Sequence, residues 1–501
     1  MRSRLVPVAL VLTALSLPGL ALAGPFRMLG FDTLALSQGG SESAYGRGIG
    51  VLYSNPALLV DVRPGFSVNY MFFQPFLKVE LMDRPANADI PLTFYDSDVG
   101  IEGTNLDRPL PTAELRLARH DNQVDQTSMY LSLGFVHDFG VEDFRLGLGL
   151  WVPTSGLLNI ESQFPDEREQ YFSNTVHFTR FGEWSEVLSL LLGLAYQPLP
   201  WLAVGASAEV ALDIGASIDM YIPEATVQDY ALVNAGFDAK PTVRAIVGIT
   251  GRPLDWLSFS LTWRDRRFSK VDATAMLNLW NYHEAGDETL PKRVEQRHLM
   301  ALDFEPMEIA LGAGLHLGDF TGQVSVTWNH WADFLDTHHK RAQENAVFEP
   351  VNEGDPTIDG SDFAFSDTWS LVVGATYEYL EGFTLAAGFS YRPTPVPAQV
   401  GRTSYVDADL FMGSLGHRFE FSLWEQSFRA ELGFQLWGMP RTTVYKDPAL
   451  IKDEFPDRAR TLIGGQPMPE AEGLQTNNPG FPGYEFGGLA LAGSLSLAYL
   501  F

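Results

Sequence analysis

Five arginines share one phase of the alternating segments of this chain. Arg145, Arg264, Arg392, Arg418 and Arg429 fall in step with glycines and acidic residues, opposite leucines and aromatics. A guanidinium presents a planar fork that suits a carboxylate, so residues of this kind could hold the head of an amphiphile. The carboxylates Glu209, Asp213, Glu420 and Glu431 lie on the same phase. A charge shut inside a wall wants a partner, so most of these arginines are expected to pair with them. Covalent chemistry has no such candidates. The chain has no cysteine and carries neither Gly-x-Ser-x-Gly nor His-Glu-x-x-His, and His338-His339 lacks spaced partners. Asp355, Asp359, Gly360 and Asp362 read as an acidic solvated stretch rather than a calcium loop. No enzyme activity, metal or cofactor is expected.

The elements that carry these arginines are strands. In the last sixteen residues, FGGLALAGSLSLAYLF, one face holds Leu489, Leu491, Leu495, Leu497 and Tyr499, and the other holds Ala490, Ala492, Ser494, Ser496 and Ala498. A period of two over that length is a β-strand with one greasy face. The apolar run 187–212 alternates likewise and reverses at Pro198-Leu199-Pro200, where two prolines cannot continue a central strand. Further hairpins follow at 129–137 with 144–152, 242–250 with 257–263, 309–317 with 324–328, 369–377 with 383–391, and 411–421 with 428–436. With a first strand at 66–79 and the closing strand, the count is about fourteen, a size usual for an outer-membrane barrel.

Loop lengths sort by side. Short turns alternate with long polar connections at 82–126, 155–183, 221–240, 278–306, 335–366, 393–407 and 439–485. A soluble sandwich or propeller has no reason for this asymmetry, whereas an outer-membrane barrel keeps short turns periplasmic and long loops outside. The expected fold is therefore all-β, a transmembrane antiparallel barrel. In that setting Arg264 and Arg392 lie toward the outer half, where an arriving anion would be captured, and they form the preferred binding pair. With 34 basic against 62 acidic residues the chain is a polyanion, which excludes a nucleic-acid partner.

The amino terminus supplies an address. Arg2 and Arg4 precede an apolar stretch, and Ala21-Leu22-Ala23 offers small residues for signal peptidase. Residues 1–23 are expected to be a signal peptide, 24–65 a separate glycine-rich segment, and 66–501 the barrel.

Within that segment, GRGIGVLYSNPALL at 46–59 resembles the N-terminal hatch of the FadL/TodX family of outer-membrane transporters of hydrophobic compounds, in which a Tyr-x-Asn-Pro-Ala run is characteristic. WNHWADF at 328–334 and LTWRDRRFSKVDATA at 261–275 are similar to other family segments. The longest likeness is at 388–419, with Pro395-Val396-Pro397 and Asp407-Ala408-Asp409 at similar spacing. There the family's usual Asp and Arg are replaced by Ala398 and Leu410.

The resemblance implies a fourteen-stranded barrel with an N-terminal hatch in the lumen, gated through Asn55, Pro56 and Ala57. It implies passive import of long-chain fatty acids, with aromatic or aliphatic hydrocarbons as the alternative cargo. It also implies ligand contact by Phe26, third in the mature chain, and lateral exit through a kinked third strand, where Gly147, Gly149 and Pro153 fit. A structural or adhesive surface barrel is the reading of another class. Expected partners are hydrophobic small molecules, outer-membrane lipid and lipopolysaccharide, and the barrel assembly machinery through the C-terminal strand.

Overall fold

In the computed structural model, strand formation follows the alternation closely. The structure describes residues 26–82, 122–124, 127–154, 158–159, 176–178, 184–185, 188–222, 232–279, 292–334, 365–451 and 480–501, except Ser41 and Arg402, together with Leu474, Thr476 and Asn478. The expected signal peptide, and the stretches holding His338-His339 and Asp355 to Asp362, lie outside the described residues.

The main sheet joins 17 strands. Setting aside Asn122–Val124, Arg267–Leu279 and Lys292–Glu305 leaves fourteen that form a closed ring. They are β1 (Gly65–Leu81), β2 (Ser128–His137), β3 (Phe144–Pro153), β4 (Leu188–Leu199), β5 (Leu202–Ile222), β6 (Leu232–Leu254) and β7 (Leu257–Arg264), then β8 (Met307–Leu317), β9 (Phe320–His330), β10 (Thr368–Leu380), β11 (Phe383–Arg392), β12 (Leu410–Leu423), β13 (Gln426–Tyr445) and β14 (Gly483–Leu500). Each pairs antiparallel with the next, and β14 closes against β1 from Gly65↔Leu500 to Leu81↔Tyr484 without a break. Closure leaves the long ladder no edge strand.

The two faces of β14 show what solvates the barrel. Leu489, Leu491, Leu495 and Leu497 are 53%, 44%, 60% and 52% exposed, while Ala490, Ala492, Ser494 and Ser496 are buried. An apolar belt of this kind all round the wall, repeated by Leu192, Leu194, Ile249, Leu261, Leu311, Leu415 and Phe434, is stable only in lipid. Rings follow one another along one rim, Phe501–Tyr499–Phe428–Phe421–Phe419, with neighbouring centroids 5.5 to 5.8 Å apart, as an interfacial aromatic girdle requires. The chain is an outer-membrane barrel. Among the described residues no helix is long and apolar enough to cross a membrane.

Two expectations needed correction. β5 and β6 run to Ile222 and from Leu232, well past the alternation at 202–212 and 242–250. The expected loop 278–306 holds most of an antiparallel hairpin, Arg267–Leu279 with Lys292–Glu305, whose first strand runs parallel to β5. Beyond the hydrocarbon, pairing needs no greasy face, so hydropathy does not mark it. β3 pairs with β2 from Tyr130↔Pro153 to His137↔Leu146, and with β4 from Phe144↔Tyr196 to Trp151↔Ser189, with no register shift. Register shifts in the wall lie at Tyr196/Leu199, Gly251/Leu254 and Glu378/Leu380, and between β13 and β14 at Met439/Thr442, where Pro440 has no ladder donor.

The N-terminal segment forms α1 (Phe26–Leu29), α2 (Thr33–Ser37), α3 (Val51–Ser54) and a 3-10 turn, Pro56–Asp61. Its caps are local: Asp32 accepts from Ala35 N at 2.8 Å, and Asn55 accepts from Ala57 N at 3.1 Å with Pro56 in the first helical position. Helices of four or five residues do not hold themselves together in water. These are held by burial against the inward face of the wall.

Candidate functional site

Where the segment meets the wall, glycines face one another across neighbouring strands. Gly205 on β5 pairs with Gly248 on β6, and Asn55-Pro56-Ala57 lies directly over them. A Cβ on Gly248 would overlap the Asn55 carboxamide oxygen, and one on Gly205 would overlap the Pro56 backbone. Gly147 pairs with Gly193, and Cβ atoms there would stand 3.0 and 2.6 Å from Leu52 Cδ2. Gly374 with Gly388, and Gly416 with Gly433, make the same kind of seat for Gln38-Gly39 and Ser37.

Wall side chains then read the segment's backbone. Asn55 Nδ2 donates to Ser43 O at 2.8 Å and to Thr250 Oγ1 at 2.9 Å. Gln435 Nε2 donates to Leu29 O and Leu36 O, Gln323 Oε1 accepts from Ala44 N and Tyr45 N, and Ser207 Oγ donates to Leu52 O. Asn55, Pro56 and Ala57 are thus brought together in one buried contact.

The β3 residues serve the same contact. Gly147 receives Leu52 and Leu59, the Trp151 indole covers Gly149, and Pro153 ends the strand opposite Tyr130. Trp151 Nε1 donates to Phe31 O at 2.7 Å, and its ring meets Phe31 edge-on at 4.8 Å.

A charged collar grips Tyr53. Its ring stacks on Phe31 at 4.1 Å, and the Arg244 and Arg264 guanidiniums stand 5.0 and 5.1 Å from its centroid. Arg244 binds Glu209 at 2.6 Å and Glu305 at 2.8 Å, and Arg267 binds Glu305 at 2.8 Å. Arg264 pairs with Glu308 and donates to Tyr53 O and Ser54 O. Arg392 places its Nη2 beside Gly40 of the same segment. The remaining expected lumen arginines are placed otherwise: Arg418 and Arg429 bind Glu431, and Arg145 Nη1 caps turn carbonyls at Glu142 and Phe144.

On the opposite side of the segment the wall is apolar. Phe73 and Leu77 of β1, Leu410 and Met412 of β12, Trp437 and Met439 of β13, and Phe486, Ala490 and Ala492 of β14 form one buried cluster with Leu29 and Leu36, and Met28 packs against it. Phe26 opens α1, the helix that delivers Met28 and Leu29, and its own side chain lies outside the described residues. Leu410, standing where a family Arg is usual, is part of this apolar wall. The β11–β12 loop nevertheless keeps polar ties: Asp409 accepts from Tyr391 Oη at 2.5 Å and Thr394 N at 3.0 Å, and Asp407 accepts from Thr394 Oγ1.

Sequence reasoning missed the collar residues Tyr53, Arg244 and Glu308, and the apolar wall. A signal for the seat was present, namely glycine recurring on the inward phase of both strands of a hairpin.

Comparison with known proteins agrees with this architecture. Residues 306–439 match the family model for the outer membrane protein transport protein family, OMPP1/FadL/TodX. A long-chain fatty acid transport protein of Salmonella typhi is 29% identical over 98 residues, and that match spans 20% of each protein. Among solved structures, a FadL homologue of Pseudomonas aeruginosa superposes with a TM-score of 0.53 at 12% identity, covering 96% of this chain and 100% of the other. The P. putida toluene transporter TodX gives 0.50 at 14% identity, covering 95% and 99%.

Proposed function

We propose that the chain, whose residues 306–439 match the OMPP1/FadL/TodX family of outer membrane transport proteins, imports long-chain fatty acids by passive diffusion, gated by residues 24–65 acting as a hatch. The observation that carries this is the two-sided burial of the hatch. One side rests on glycines and hydrogen bonds, and the other, from Met28 to Leu36, rests on an apolar wall that an alkyl tail would suit. Phe26 leads the helix on that side, and Arg264 with Arg392 would meet the carboxylate. Release into the bilayer would pass β3, because withdrawal of Leu52 and Leu59 empties the space over Gly147.

A hydrocarbon cargo is the second reading. The engagement of Arg264 by Glu308 favours it, since a carboxylate must compete with a fixed one. Oleate and toluene binding to Arg264→Ala and Arg392→Ala separate the two. Loss of oleate affinity with toluene unchanged supports the fatty-acid reading, and unaltered oleate affinity rejects it. Hatch gating is tested on its own by deleting 24–59, which should convert a tight barrel into a leaky one in a planar bilayer. Unchanged conductance would rule out the hatch.

A further inference from the structure

Beneath the hatch lies a buried ionic cluster that neither the seat nor the apolar wall uses. Asp32 and Glu42 of the hatch face Arg418 of β12 and Arg429 and Glu431 of β13, and all five are at most 6% exposed. Arg418 Nε bonds Glu431 at 2.6 Å, Arg429 Nε stands 3.4 Å from the same oxygen, and Arg429 Nη1 donates to Arg47 O. The neighbouring charges on these elements point elsewhere: Arg47 is exposed against the Tyr45 ring, and Glu420 pairs with Arg63 near the surface.

The two hatch carboxylates are unequally served. Asp32 accepts from Ala35 N at 2.8 Å and Gly50 N at 2.6 Å, one bond to each oxygen. Glu42 Oε1 accepts only a long bond from Arg47 N, 3.3 Å, and Glu42 Oε2 is buried with no hydrogen-bond partner. A Cβ on Gly50 would stand 2.9 Å from both Asp32 Oδ2 and Glu42 Oε2, so the two oxygens confront each other across the glycine-rich loop.

Three buried acids therefore meet two buried guanidiniums. An uncompensated charge in such a place costs several kcal/mol, so one acid keeps its proton. Glu431 is bound by both arginines and Asp32 by two backbone donors, which leaves Glu42 as the holder. Burial first, then the facing Asp32 and Glu431 carboxylates, push the Glu42 carboxyl well above the ordinary carboxylate range, against the pull of Arg418.

We propose that Glu42 is a pH-operated latch, protonated while the hatch is seated and unseating it when the proton is lost. The latch rests on the hatch reading above. Once the hatch leaves, Glu42 meets water and returns to an ordinary pKa of about 4.3. Between that value and the raised one, the seated state binds a proton that the released state lacks. Seating is therefore strongest in acid and weakens by up to about tenfold per pH unit as pH rises toward the raised value.

The test is open probability of the purified full-length barrel in planar bilayers over a series from about pH 5 to about pH 9, beginning just above the ordinary carboxylate range. Wild type should open increasingly toward alkaline pH, and Glu42→Gln, neutral throughout, should stay closed and flat. A Glu42→Gln barrel that keeps the wild-type pH response, or that leaks in acid, overturns the latch. Heat-modifiable gel migration verifies that the variant is folded. Asn55→Ala separates the failures: if it leaks while wild type shows no pH response, the latch falls and the hatch stands. If neither it nor the 24–59 deletion leaks, both fall.

Discussion

Replacing Asn55 by alanine should open the barrel without unfolding it, and the size of the effect can be worked from the bonds its side chain makes. The carboxamide donates to Ser43 O and Thr250 Oγ1 and accepts from Ala57 N, all with Asn55 fully buried. Only the Thr250 bond crosses from hatch to wall, so at about 1 kcal/mol net the seated-to-released ratio falls on the order of fivefold. Single-channel recording of Asn55→Ala should show open probability raised by roughly that factor, while heat-modifiable migration of the wall stays as in wild type.

Gly248→Ala attacks the same contact from the other side, because its methyl would strike the Asn55 oxygen. With Asn55 already alanine there is no oxygen to strike, so the double variant should leak less than the two single effects predict, by about 1 kcal/mol or more. Strict additivity, or a silent Asn55→Ala, would refute the seat.

Tyr53→Leu removes the ring held between Arg244 and Arg264, and at about 1 kcal/mol for each cation–π contact it should raise leak on the order of tenfold in the same recordings. Glu308→Gln removes the carboxylate that competes for Arg264, so oleate should bind more tightly and toluene equally, read by tryptophan quenching. Trp437→Ala cuts the largest side chain from the apolar wall and should both weaken oleate binding and raise hatch-dependent leak. Leu146 and Leu194 are register partners on β3 and β4. A disulfide between Leu146→Cys and Leu194→Cys should block fatty-acid uptake into vesicles, reversibly with reductant, while hatch-dependent leak persists.

The membrane made much of the wall legible. Lipid demands an apolar group at every second position, so Leu489 to Leu497 and Leu202 to Leu212 declared both their faces and their strands. Where that demand stops, so does legibility, as in the outer extensions of β5 and β6 and the hairpin from Arg267 to Glu305. Partners across the lumen are set by register and by three-dimensional closure, not by spacing. Glu308 reaches Arg264 because β7 pairs with β8 across the intervening hairpin, a neighbour relation that no periodicity encodes. The inward pairing of Arg418 with Glu431 was readable because their strands form one hairpin. At β3 the alternation shows that the glycines face inward, but what packs on them, Leu52 and Leu59 over Gly147 and Trp151 over Gly149, is set by the position of the hatch.

The two sides of the hatch are held by interactions that different solvents can replace. On the glycine side the wall supplies side-chain groups to hatch backbone, as Ser207 does for Leu52, and water in a wetted lumen could take over each such bond at a net cost of about 1 kcal/mol. On the other side Met28, Leu29 and Leu36 are packed against Trp437, Met412 and Phe73, and exposing them to water costs roughly 2 kcal/mol per side chain. Water cannot offset that loss, but an alkyl chain can. On the proposed reading, a hydrophobic molecule entering from outside would compete for the one set of contacts that an aqueous lumen leaves intact. Binding of cargo and loosening of α1 would then be a single exchange, and the polar seat, already replaceable by water, would decide how far the hatch follows.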